Sequence, residues 1–196
     1  MNLPNKLTIS RIALTFVLMV FLYTHGIAAK VLALVTFLAA SLTDALDGYL
    51  AKKNHEITDF GRLMDPIADK ILVLAALLAF VEKGVIPAWM VVIIIFREVA
   101  VTGLRFLALT KGKVLPADSG GKQKTVWQLI AIVAILVFLI FTEGGADKFA
   151  FWTGAVETLY KNSIFAIMIL VVMLTLVSGM RYFMKNREVY SNEKEN

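Results

Sequence analysis

The sequence predicts an all-α, polytopic membrane protein: six transmembrane helices in one domain, with the active-site cavity at the cytoplasmic side. Three observations carry this expectation. Of 196 residues, 59% are hydrophobic and the mean hydropathy is +0.76, against an apolar share of roughly 45–50% in soluble domains. The apolar residues gather in stretches that approach the ~20 needed to cross a bilayer. The basic residues fall between those stretches, mostly on alternate sides.

The stretches run from about Ile12 to Tyr23, Ala28 to Leu50, Asp65 to Val81, Pro87 to Leu109, Val126 to Thr142 and Ser163 to Tyr182. The first is short, and Leu7–Arg11 extends it along the interface. Pro87 suits the first turn of the fourth, where a missing N–H is harmless. Six spans put both termini on one side. With that side cytoplasmic, fourteen basic residues lie at or beyond the cytoplasmic face: Lys6, Arg11, Lys52, Lys53, Arg62, Arg105, Lys111, Lys113, Lys122, Lys124, Arg181, Lys185, Arg187 and Lys194. Four lie outside, Lys30, Lys83, Lys148 and Lys161, and Lys70 and Arg97 fall within spans. The positive-inside rule selects this orientation, in a cell membrane.

The net charge of +5, beside so much apolar surface, points to anionic lipid headgroups and not to nucleic acid. The absence of cysteine excludes disulfides and zinc–thiolate sites. The N-terminus lacks a secretory layout, since Met1–Arg11 is polar and no small-residue cleavage site follows the first apolar stretch. Between spans five and six, Glu143–Asn162 carries Gly144, Gly145, Phe149, Phe151 and Trp152. It reads as an interfacial loop or short amphipathic helix anchored by aromatics. Residues 1–187 form the membrane domain, and the charged tail 188–196 is expected to be unstructured.

The chemistry concentrates in four carboxylates. Asp44, Asp47, Asp65 and Asp69 sit at the cytoplasmic ends of spans two and three, where an ionisable group costs roughly 2.5–3.5 kcal/mol at the span centre. Asp44 and Asp47 are three apart and Asp65 and Asp69 four apart, so each pair shares a helical face. The short linker makes the two helices antiparallel neighbours whose acidic faces can converge. Four carboxylates form a hard oxygen site suited to Mg²⁺ or Mn²⁺, and two such ions balance their charge. Each acid also has a plainer reading. Asp65 before Pro66 makes an N-cap, and the others can pair with Lys52, Arg62 or Lys70. The plainer reading weakens when all four are taken together.

These residues read Asp44-x-x-Asp47-Gly48-x-x-Ala51-Lys52, then eight residues, then Gly61-x-x-x-Asp65-x-x-x-Asp69. This closely resembles the signature of the CDP-alcohol phosphatidyltransferases, D-x-x-D-G-x-x-A-R-x(8)-G-x-x-x-D-x-x-x-D. It departs only at Lys52, where the family's arginine would offer a bidentate phosphate fork. Softer likenesses point to a bacterial branch whose acceptor is sn-glycerol 3-phosphate. These are Asn2 to Arg11, Asp65-Pro-Ile-Ala-Asp-Lys70, Arg97-Glu98 and Gly121-Lys122-x-Lys124-Thr125.

The resemblance implies a transfer of the phosphatidyl group of CDP-diacylglycerol to that acceptor, with CMP leaving. It implies Asp44, Asp47 and Asp65 as metal ligands. Asp69 is implied both at the metals and as general base. It also implies Gly48, Lys52 and Thr58, with Asn5 and Thr8, as contacts to the cytidine diphosphate of the donor, and a homodimeric assembly. A phosphorylated acceptor needs a second cationic site, for which Arg97, Arg105, Lys122 and Lys124 are the candidates. Two rivals stand beside this reading. One is the same family with serine, an inositol phosphate or phosphatidylglycerol as acceptor. The other is a cation or proton transporter using intramembrane carboxylates, which the lack of an internal repeat disfavours.

Overall fold

The computed structural model describes the backbone of residues 3–54, 59–113, 115–116 and 119–191, and side chains over 9–43, 68, 70–113, 115–116, 120–145 and 148–191. Among these residues every regular element is helical: α1 (Leu3–Tyr23), α2 (Ile27–Asn54), α3 (Asp59–Glu82), α4 (Ala88–Thr110), α5 (Ser119–Lys148), α6 (Gly154–Lys185) and α7 (Glu188–Ser191). Each expected span is one helix. Several overrun it, since a helix satisfies its own backbone whether or not its flanks are apolar. Two segments, Gly120–Gly145 and Gly154–Lys185, are long and apolar enough to cross a membrane, and shorter apolar helices cover Ile9–Tyr23 and Ile27–Thr43. Helix α4 interrupts its apolar run with Arg97, Glu98 and Arg105.

Three local expectations need correction. Pro87 is the N-cap of α4, with an extended backbone (φ −68°, ψ 140°), and so stands one residue before the first turn. The tail is not unstructured from Glu188 on. Glu188–Ser191 form α7, with Val189 buried, because Lys111 Nζ reaches the Val189 carbonyl at 2.7 Å. The segment expected to be interfacial is only partly a loop. Helix α5 runs on to Lys148 through a break at Gly145 (φ 58°, ψ −170°), and α6 starts at Gly154.

The chain divides into two compact units, residues 1–85 with 132–161, and residues 86–131 with 162–196. In the first, α1 packs against both α2 and α3, which also touch each other. The seam repeats at three and four residues, the spacing of packed helices. Arg11, Thr15, Leu18 and Leu22 are buried on α1, Ala33, Phe37 and Ala40 on α2, and Leu72, Ala76 and Ala79 on α3. The alanines let the backbones approach closely.

Polar side chains lock one end of this unit. Buried Lys30 donates from Nζ to the Leu22 and Thr24 carbonyls at 2.9 and 2.6 Å, satisfying acceptors that the last turn of α1 leaves open. Gly26, whose φ of 103° makes the turn, donates its N–H to Glu143 on α5. The Tyr23 hydroxyl donates to Glu82 of α3. Beyond lies an aromatic cluster. Phe141 stacks on Trp152 with ring centroids 5.1 Å apart and meets Phe149 and Phe151 edge-on. Tyr160 stacks on Phe138 and donates to the Ala134 carbonyl. The cluster fits closely at Gly144, where a Cβ would stand 2.5 Å from the Phe149 ring and 3.0 Å from Ile27. Gly144→Ala is therefore expected to destabilise the protein by about 1–3 kcal/mol, the usual penalty of overpacking. The check is a lowered thermal midpoint in detergent with both substrate KM values unchanged.

In the second unit, Val101, Leu104 and Ala108 of α4 form a core with Tyr182 of α6 and Val189 of α7. Above it, α4, α5 and α6 meet through polar side chains.

Candidate active site

The aspartate motif lies on the first unit. Positions 44, 47, 48 and 52 fall in the last turns of α2, and 65 and 69 in the first half of α3. The side chains of Asp44, Asp47, Gly48, Lys52, Asp65, Asp69, Asn5 and Thr8 lie outside the described residues, and Thr58 lies outside them altogether. Helical register still relates their positions. On α2 Ala33, Phe37 and Ala40 are buried, and positions 44 and 47 follow Ala40 at four and seven residues. On α3 Ala79, Ala76, Leu72 and Ala68 are buried, and positions 65 and 69 stand three residues before Ala68 and Leu72. On α1 Leu22, Leu18, Thr15 and Arg11 are buried, and positions 8 and 5 precede Arg11 at three and six residues. These positions belong to the N-terminal end of α1, the C-terminal end of α2 and the N-terminal half of α3. Among the described residues no three histidine or acidic side chains gather at metal-binding distance.

Arg11 was counted from the sequence among charges at the cytoplasmic face. Its side chain is fully buried and engaged by a partner. Its place in the N-terminal motif and its register with Thr15 and Leu18 are the signals that mark it as interior.

The expected acceptor cations lie on the second unit, and the structure separates them. Arg97 Nη1 lies 3.1 Å from Glu98 Oε1, and its Nη2 donates to Ser178 Oγ of α6 at 3.3 Å. Lys124 of α5 donates to the same Glu98 oxygen. Lys124 is 3% exposed, so it is not an ordinary surface charge at a span end. Lys122, two residues earlier, is exposed and fits that description. Arg105 stands apart from the trio: its Nε donates to the Tyr182 hydroxyl at 3.2 Å, and its guanidinium lies 5.5 Å from the centre of that ring.

Arg97 occupies a slot with glycine on two sides. A Cβ at Gly179 of α6 would lie 3.0 Å from Arg97 Cγ, and one at Gly121 of α5 would lie 3.6 Å from Nη2. The side chain is therefore held by packing as well as by charge. Among the described residues, buried Arg97 Nε and Gln128 Nε2 have no hydrogen-bond partner. Gln128 follows Lys124 by one turn on α5. Glu98 and Gln128 lie with this cluster on α4 and α5, and neither was selected as a site candidate from the sequence. Gln128 falls on the Lys124 side of an otherwise apolar span, and Glu98 entered the sequence reading only beside Arg97 in a family likeness.

What unit one offers is a carboxylate-rich helix end, and what unit two offers is a cluster of immobilised donors. The first suits divalent cations and the second an anion such as a phosphate monoester.

Comparison with known proteins defines the class. The family model described as CDP-alcohol phosphatidyltransferase matches residues 1–160, and the chain belongs to that family of enzymes. Among individual relatives, it is 39% identical over 202 residues to the CDP-diacylglycerol–glycerol-3-phosphate 3-phosphatidyltransferase of Bacillus subtilis, covering 95% of this chain and 96% of the relative. It is 42% identical over 137 residues to the Rickettsia bellii protein of the same name, covering 69% and 75%. A similar protein in Mycobacterium tuberculosis, at 42% over 134 residues and covering 67% and 64%, is named a probable phosphatidylglycerophosphate synthase.

Proposed function

We propose that this protein transfers the phosphatidyl group of CDP-diacylglycerol to sn-glycerol 3-phosphate, giving phosphatidylglycerophosphate and CMP. Family membership supports the donor and the reaction class, and the names of the relatives support the acceptor. The observation that carries the reading is the match of the family model over residues 1–160, a stretch that includes the aspartate motif of positions 44 to 69.

In this reading the six long helices span the cell membrane with both termini cytoplasmic, and the aspartates open on a cytoplasmic cavity. Residues 1–187 are the membrane domain. The protein works as a homodimer, as the resemblance implies. Asp44, Asp47, Asp65 and Asp69 would hold two Mg²⁺ or Mn²⁺ ions, and the donor set fits, being all hard oxygen. When bound, such ions neutralise charge on the pyrophosphate. The rest of the chemistry belongs to side chains. Asn5, Thr8, Gly48, Lys52 and Thr58 hold the cytidine diphosphate. Asp69 takes the proton from the acceptor hydroxyl. The hydroxyl oxygen bonds to the phosphorus that carries diacylglycerol, and the bond from that phosphorus to the CMP phosphate breaks. Arg97 and Lys124 supply the charge that meets the acceptor phosphate, and orientation does most of the rest.

The test is purified protein with CDP-diacylglycerol, Mg²⁺ or Mn²⁺, and a panel of glycerol 3-phosphate, serine, an inositol phosphate and phosphatidylglycerol, with lipid products identified by mass. The expected result is phosphatidylglycerophosphate formed with the highest kcat/KM. A different preferred acceptor overturns the acceptor, and cation flux in liposomes without CMP release overturns the class.

A further inference from the structure

From the geometry of the second unit we infer that Glu98 is a positioning residue of the acceptor-phosphate site, holding two cations from different helices at one point. The inference rests on the reading that Arg97 and Lys124 meet that phosphate, and goes beyond it by assigning their only shared carboxylate partner among the described contacts.

One oxygen, Oε1, serves both Arg97 Nη1 and Lys124 Nζ. The Glu98 and Lys124 side chains are 13% and 4% exposed and that of Arg97 is 12% exposed, so little solvent screens the trio. Two cations brought together in such surroundings repel each other strongly. The carboxylate between them offsets that repulsion. With it, the trio carries a net charge of +1, and its members are anchored from three sides. Ser178 takes Arg97 Nη2, and Gly179 and Gly121 leave the slot that the arginine fills. The arginine is not exhausted by these contacts, since its Nε has no partner among the described residues. A phosphate monoester carries about 1.5–2 negative charges near neutral pH and three acceptor oxygens. It can add to this arrangement without either cation having to be reoriented, which is how a preorganised site gains affinity.

A merely structural ion trio makes a different prediction, so the experiment separates the two. Glu98→Gln keeps the shape and removes the charge. Expected is a KM for glycerol 3-phosphate raised about tenfold, the size of one charge-assisted hydrogen bond, with the KM for CDP-diacylglycerol and kcat at saturation unchanged. Inhibition by inorganic phosphate, measured against the acceptor, weakens in parallel. Glu98→Asp, which keeps the charge on a shorter side chain, raises the acceptor KM less than Glu98→Gln does. If Glu98→Gln does not yield folded protein, Glu98→Asp decides alone: its shorter reach should raise the acceptor KM and not the donor KM. An unchanged acceptor KM with only a lowered thermal midpoint, while Arg97→Gln and Lys124→Gln do raise it, overturns the role of Glu98 and leaves the acceptor site standing. An unchanged acceptor KM in Arg97→Gln and Lys124→Gln overturns the acceptor reading itself, and this inference with it.

Discussion

Asp69→Asn is expected to lower kcat by about 10²–10⁴-fold, the usual contribution of a general base, while the donor still binds. The amide keeps the size of the side chain but does not accept the acceptor's proton at working pH. Asp44→Asn tests the neighbouring role. As a ligand alone it should act through weaker metal affinity, so excess Mn²⁺ should recover part of its turnover. The same excess should not recover Asp69→Asn. Turnover of both variants across a metal titration, with CDP-diacylglycerol binding measured alongside, makes the comparison. If metal restores both equally, Asp69 is only a ligand and the base lies elsewhere.

Arg97→Gln should raise the KM for glycerol 3-phosphate by about 10- to 100-fold, corresponding to the ~1.5–3 kcal/mol of a hydrogen bond to a charged group. The donor KM should not move, because a lost contact to one substrate appears in the binding of that substrate. Folding should survive the change. Glu98 keeps Lys124 as a partner, so no buried carboxylate is left alone, the situation that makes a broken ion pair severe. Steady-state kinetics with each substrate varied in turn is the check. A rise in both KM values would mean that Arg97 shapes the cavity as a whole and does not meet the acceptor alone.

The number and order of the long helices were legible because lipid-facing and core-facing residues are both apolar, and the runs stand out against polar turns. Their ends were less so. Helix α2 continues past Leu50 to Asn54, and α3 begins at Asp59, six residues before Asp65. Hydropathy marks where a helix is apolar, whereas hydrogen bonding decides where it stops. The aspartate motif was legible for a stronger reason. Carboxylates at the end of an apolar helix are costly enough that their spacing alone carries a statement about chemistry.

The basic residues show what linear order leaves open. From position alone, Arg11, Lys30 and Lys124 belong to the charges beyond the spans, yet all three are buried. A long side chain has several places to put its charge, and packing chooses among them. Lys30 turns back to the carbonyls at the end of α1. Arg11 takes a seam position in register with Thr15 and Leu18. Lys124 crosses to a glutamate twenty-six residues earlier in the chain. The sequence determined the helices, the family and the four aspartates, all of which follow from patterns within a few turns of chain. The sharing of Glu98 between two cations, and the glycine-lined slot that holds Arg97, arise only where α4, α5 and α6 come together. Pairing between distant segments depends on which faces pack, and the local periodicity that makes each helix does not specify its neighbours.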